Sequence, residues 1–208
     1  MRRFIAGGLL LLMTSTAALA QDATPRLGRP PQQAITAEMR AAMEEFQKQR
    51  GLPISGPFEP MLWSPEAMIR AASMGTYLRY KSVFPQNLSE FVILIAARSW
   101  SQQYEWSVHY PIALKAGVSR EIADAIMEGR RPQKMSEEQE MLYDFTTELI
   151  QNKFVSDATY NRVRGKFGEK GVIDATTITG YYTLLAMVLN VARTPPDPGV
   201  PLLPALPR

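Results

Sequence analysis

The stretch LSEFVILIAARSWSQQYEWSVHYPIALKAG, Leu88 to Gly117, decides how the whole chain is read. Its apolar run from Phe91 to Ala97 shows no polar alternation, and it begins just after the Phe84-Pro85-Gln86-Asn87 break. Such a run reads as a helix buried on every side. The second half, from Gln102 to Gly117, reads as another helix closed by glycine, and it holds the only histidine of the chain, His109, four residues after Glu105.

Working outward, helix start and stop signals follow one another. Thr36 can cap a segment that runs to Arg50 and stops at Gly51, and Ser64-Pro65-Glu66 supplies a cap, a first-turn proline and an acid. Ser119 opens SREIADAIMEG, and Ser136 to Gln139 forms a capping box. Further helices are expected from Ser156 to Lys166 and from Asp174 to Arg193. No alternating strand and no hairpin turn stands out, so the expected class is an all-α helical bundle, as one domain over residues 34–193. The second long apolar segment, ATTITGYYTLLAMVLNVA, is also apolar nearly all round. In a chain of 208 residues that favours cover by a neighbouring subunit, and a homo-oligomer is expected.

The two ends read differently. MRRFIAGGLLLLMTSTAALAQ has two arginines, an apolar run and the small-residue pattern Ala18-Leu19-Ala20, which is a secretory signal peptide (residues 1–20) cut after Ala20; the protein is expected in the periplasm or outside the cell, with no stable membrane insertion after cleavage. Residues 21–33, rich in Pro, Arg and Gln, read as a flexible arm. The Pro-rich tail, residues 194–208, has six prolines in its last 14 residues and cannot be helical. It is either a loose terminus or an arm on an adjacent subunit, anchored by Leu202, Leu203 and Leu206.

Composition narrows the chemistry. Without residues 1–20 the chain carries 21 basic and 20 acidic residues, a net charge of +1, and nothing suggests a nucleic-acid partner. No cysteine is present, so every kind of thiol chemistry is excluded. One histidine with scattered acids is not a metal-site pattern, and no phosphate loop or serine-nucleophile elbow is present, so no metal and no cofactor is expected.

The remaining candidates sit in the opening stretch. If the second segment is helical, Glu105 and His109 share one face, and the carboxylate would orient the imidazole as a general acid or base; an ordinary surface pair has the same spacing. Glu90, at the head of the buried helix, is either a dipole-complementing acid or a carboxyl raised in pKa by burial. Arg98 can bind a substrate carboxylate or cap the helix end. Trp100, Tyr104 and Trp106 are either core or the wall of a substrate pocket.

These residues, with FGEKGVIDATTITGYYTLLAMVLNVARTPPDPGVPLLP, resemble the carboxymuconolactone decarboxylase family, whose relatives include the alkylhydroperoxidase D-like proteins. In the peroxidase branch a Glu is followed twelve residues on by Cys-x-x-Cys-x-x-x-His. Here Glu90 and His109 match the acid and the histidine, while Gln102 and Glu105 stand at the cysteine positions. Thiol peroxidase activity is therefore excluded.

The decarboxylase branch looks similar, with an acid four residues before the histidine. The resemblance implies an all-α trimer or hexamer and cofactor-free proton chemistry on a carboxylated lactone. Glu90, Glu105 and His109 would be catalytic, and Arg98, Trp100, Tyr104 and Trp106 would bind the substrate. An isomerase or hydratase with the same acid and base, and a noncatalytic periplasmic binding or scaffold protein, are the other readings of the same residues.

Overall fold

The computed structural model describes residues 24–206; the segment read as a signal peptide lies outside the described residues. A 3₁₀ turn (Gln32–Ala34) precedes α1 (Ala37–Arg50), α2 (Phe58–Met61), α3 (Pro65–Tyr80), α4 (Gln86–Ser99), α5 (Gln103–Ala116), α6 (Arg120–Met127), α7 (Glu137–Asn152) and α8 (Asp157–Ala192). No strand occurs among the described residues. The architecture is an all-α bundle with α4 at its centre, packed against α5, α6, α7 and α8.

The caps read from sequence are largely in place. Thr36, Ser119, Ser136 and Ser156 each accept a hydrogen bond from a first-turn backbone N–H, and Ser136 with Gln139 forms the reciprocal capping box. Ser64 makes no such bond, and α3 starts on Pro65 alone. α5 is capped by Gln102, whose Oε1 accepts from the N–H groups of Tyr104 and Glu105 at 2.6 and 3.1 Å, while its Nε2 donates to Asn190 of α8 at 2.9 Å. This amide fixes both the start and the direction of α5. Pro111 is exposed, and α5 continues through it.

α4 is buried from Leu88 to Arg98, as an all-apolar helix must be. Each of its fully buried large side chains contributes roughly 1.5–3 kcal/mol of burial free energy.

The closing segment holds the two expected helices, joined end to end. Asp157–Ala192 is one element interrupted at Gly168, whose φ of 68° and ψ of −178° break the helical path between 157–167 and 169–192. Within this chain its second half is amphipathic. Val172, Ala175, Ile178, Thr179, Tyr182, Leu185, Ala186 and Leu189 are buried, while Ile173, Thr176, Gly180, Leu184, Met187 and Val191 form an exposed stripe at helical spacing. Ile173 and Val191 are 62% and 59% exposed.

The two ends are more tightly tied than their composition suggested. In the segment read as a flexible arm, the N–H groups of Arg26 and Leu27 donate to the Ala192 carbonyl, Trp63 Nε1 donates to Gly28 O, and Pro30 is buried. These bonds stop the end of α8 with chain from the opposite terminus. The tail has no helix and lies on its own subunit. Gln103 bonds the Leu203 backbone through both amide atoms at 2.9 Å each, Asp197 N–H donates to Ser107 Oγ, and Leu203 is 5% exposed. Leu202 remains 57% exposed.

Candidate functional site

α4 and α5 meet at the tight turn around Ser101, whose φ of 48° lies in the left-handed region. That turn lays the two helices side by side and brings together residues far apart in sequence. His109 Nδ1 lies 2.7 Å from Glu90 Oε2, across 19 residues, with the two side chains 9% and 2% exposed. With Glu90 as a carboxylate, which only accepts, Nδ1 carries the proton and Nε2 is the ring nitrogen left to meet a ligand.

This corrects the sequence expectation in one respect. Glu105, one helical turn before His109, is not the partner of the imidazole. Both of its oxygens are buried and without a hydrogen-bond partner, and the residue is 3% exposed. Desolvation holds its carboxyl well above the usual carboxylate range. An isolated ionised carboxylate in such a place is costly, which favours the neutral acid with an O–H to give.

Glu105 and His109 face a cavity of about 170 Å³. It is walled by Phe46 and Arg50 of α1, the 52–57 loop, Phe58, Gly75 and Arg79 of α3, Tyr104 and Val108 of α5, and Tyr181, Tyr182, Leu185 and Leu189 of α8. Residues 104, 105, 108 and 109 line it because they share one face of α5. The Tyr182 ring stands edge-on to His109 at 5.1 Å, and Tyr181 packs edge-on to Tyr182 at 5.2 Å. Burial pushes the Tyr181 hydroxyl up to about 12 and the Tyr182 hydroxyl well above its ordinary value, so both stay protonated donors.

Two glycines make room. Gly75 lets Tyr181 approach α3, since a Cβ there would sit 2.3 Å from the phenol oxygen. Gly56, at φ +57°, turns the loop under Tyr104, where a Cβ would meet the ring at 2.8 Å.

Of the residues singled out for substrate binding, only Tyr104 lines this cavity. Burial, with Asp197 and Glu59 nearby, raises its pKa. Trp106 is fully buried on another face of α5, packed on Tyr110 at 5.3 Å, because it stands one residue past Glu105 and so points about 100° away. Trp100 lies beyond the end of α4, 38% exposed, and donates to Thr183 Oγ1 at 3.2 Å. Arg98 holds the tail and the end of α6 through the Pro204 and Met127 carbonyls, at 2.9 and 3.3 Å.

The arginines that do line the cavity are Arg50 and Arg79, which sequence reasoning missed. Arg50 sits over Phe46 and Phe58 at 5.3 and 4.9 Å, and its Nη1 is buried without a partner. Nothing local marks it, since a basic residue in the last turn of α1 before Gly51 is what any helix end favours. One cavity thus holds a guanidinium with one buried, unpartnered nitrogen, a carboxyl without a partner whose burial favours the neutral form, and an imidazole oriented from behind.

The fold is that of the AhpD-like helical proteins. No family model and no curated protein matches the chain. Among solved structures it is similar to an AhpD-core, uncharacterized peroxidase-related protein from Ralstonia eutropha JMP134, with a TM-score of 0.66 and 16% identity over 84% of this chain and 93% of that one. It is also similar to a putative antioxidant defence protein AhpD from Agrobacterium tumefaciens, with a TM-score of 0.59 and 14% identity over 66% of this chain and 94% of that one. A third is a cysteine-to-alanine variant of the debrominase Bmp8 in complex with 2,3,4-tribromopyrrole, with a TM-score of 0.64 and 13% identity over 85% and 95% of the two chains.

Proposed function

We propose that the chain is an exported, cofactor-free acid/base enzyme that decarboxylates a small carboxylated lactone or a related carbonyl compound. The observation that carries this reading is the juxtaposition, in one cavity, of the neutral carboxyl of Glu105 and the imidazole of His109 held by Glu90. Fold neighbours that include an enzyme make catalysis plausible, and the absence of cysteine removes thiol peroxide reduction.

In this reading Arg50, with Arg79 beside it, binds one carboxylate of the substrate through its unpaired donor. Tyr104, Tyr181 and Tyr182 wall the ring. At a second carboxylate the C–C bond breaks, carbon dioxide leaves, and the electron pair passes into the unsaturated ring as an enolate. Glu105 delivers its proton to carbon, and the unprotonated His109 Nε2 takes a proton from water, whose hydroxide leaves with the carbon dioxide as bicarbonate, and passes that proton to Glu105. Glu90 keeps the ring in the required tautomer.

Export rests on the MRRFIAGGLLLLMTSTAALAQ sequence. The exposed Ile173, Leu184, Met187 and Val191 stripe supports a homo-oligomer, whose neighbouring subunit would cover it.

The test is product analysis by mass and NMR in D₂O with a panel of carboxylated lactones. The reading expects loss of carbon dioxide with one deuterium on carbon, and a rate lower by about 10²–10⁴-fold in His109→Gln. Water addition or a shifted double bond without carbon dioxide would replace the decarboxylase reading by the hydratase or isomerase one.

A further inference from the structure

Arg98 is 5% exposed, yet it pairs with no carboxylate among the described residues. Its Nη1 donates to the Met127 and Pro204 carbonyls and its Nη2 to Ser101 Oγ, while Nε is buried and unpartnered. A guanidinium does not shed its proton, so a formal positive charge is held inside the protein with only carbonyl and hydroxyl dipoles around it. Burial pulls its pKa down.

This arginine lines a second cavity, about 540 Å³ in volume, between the end of α4, the end of α6, α7 and the tail. It shares no lining residue with the cavity at His109. Ile95, Ile126, Ile150 and Leu206 give it one apolar wall, Ser99, Tyr143, Thr147 and Gln151 a polar one, and no acidic residue lines it. Its other cations are engaged elsewhere: Arg130 pairs with Glu128, and Lys153 donates to the Ile150 carbonyl. The chemistry on offer is therefore one buried, unpartnered N–H on a charged group, beside an apolar wall in a cavity of mixed lining.

We propose that this cavity binds a small amphipathic carboxylic acid. The carboxylate accepts from Arg98 Nε and supplies the missing counter-charge, and the hydrocarbon body lies against Ile95, Ile126, Ile150 and Leu206. The site is independent of the reaction proposed for His109, and it stands or falls without it.

The experiment is isothermal titration of the full chain with sodium octanoate at pH 7, with 1-octanol as the uncharged control. Saturable binding of one octanoate per chain is expected, at least tenfold tighter than octanol. Arg98→Met should weaken it at least tenfold. Because that change also frees the Met127 and Pro204 carbonyls, Ile150→Trp is the second variant: it fills the chamber, leaves Arg98 and its bonds intact, and should also abolish binding. Arg50→Gln, in the other cavity, should leave it unchanged. No saturable binding, equal affinity for octanol, binding undisturbed by Ile150→Trp, or loss in Arg50→Gln would each overturn the proposal.

Discussion

His109 Nδ1 and Glu90 Oε2 lie 2.7 Å apart between two helices, and Glu105, the nearer acid in sequence, bonds neither of them. One carboxyl positions the imidazole and the other is kept uncharged, which separates two roles that a single local pair would have to combine.

His109→Gln retains an amide donor for Glu90 but cannot exchange protons. Turnover should fall by about 10²–10⁴-fold, the usual contribution of a positioned acid or base. Circular dichroism melting should show the variant folded. An active His109→Gln would remove the imidazole from the mechanism.

Arg50→Gln removes the buried, unpartnered nitrogen that faces the same cavity. A hydrogen bond to a charged group is worth ~1.5–3 kcal/mol, so KM for a carboxylated substrate should rise by roughly 10- to 150-fold with kcat little changed. Steady-state kinetics decide it; an unchanged KM would place the substrate carboxylate elsewhere.

Gly75→Ala puts a methyl group 2.3 Å from the Tyr181 phenol oxygen in the native geometry. Overpacking of this kind costs about 1–3 kcal/mol, and Tyr181 must leave its place in the cavity wall. Chemical denaturation should show the loss, and ligand affinity should fall with it.

Glu105 also sets a pH dependence of stability. Its folded pKa is raised by burial, so above the ordinary carboxylate range the unfolded chain releases a proton that the folded chain keeps. The folded state then binds more protons, and stability falls as pH rises, by up to ~1.4 kcal/mol per pH unit, until the folded group also ionises. Glu105→Gln removes that slope. Denaturant titrations from pH 4 to 8 should find the variant gaining on the wild type as pH increases; parallel curves would mean that Glu105 ionises normally.

Much of this was legible in the sequence, and the reasons for the rest are physical. The helices announced themselves through side-chain caps such as Thr36, Ser119, Ser136 and Ser156, because those signals are local. Glu90, Glu105 and His109 were visible as an unusual set of acids around a lone imidazole, but which acid bonds the ring depends on how α4 lies on α5, and spacing along one helix carries no such information. Trp100, Trp106 and Arg98 are near His109 in sequence but do not line its cavity. Arg50, Arg79, Tyr181 and Tyr182 reach the cavity from α1, α3 and α8 through tertiary packing. The tail's prolines excluded a helix, while its anchorage depends on Gln103 and Ser107, which no tail pattern reveals.

The most direct test of the central claim is the charge of Glu105. Carbon-13 NMR of side-chain carboxyls, with the Glu105 signal assigned by its absence from Glu105→Gln, reads that charge as pH is varied. The account predicts that Glu105 stays protonated well above the pH at which the exposed glutamates ionise, and that its signal shifts in His109→Gln, since both groups face one cavity. A Glu105 signal that titrates with the exposed glutamates would contradict the neutral acid, and with it the proton donor on which the proposed reaction depends.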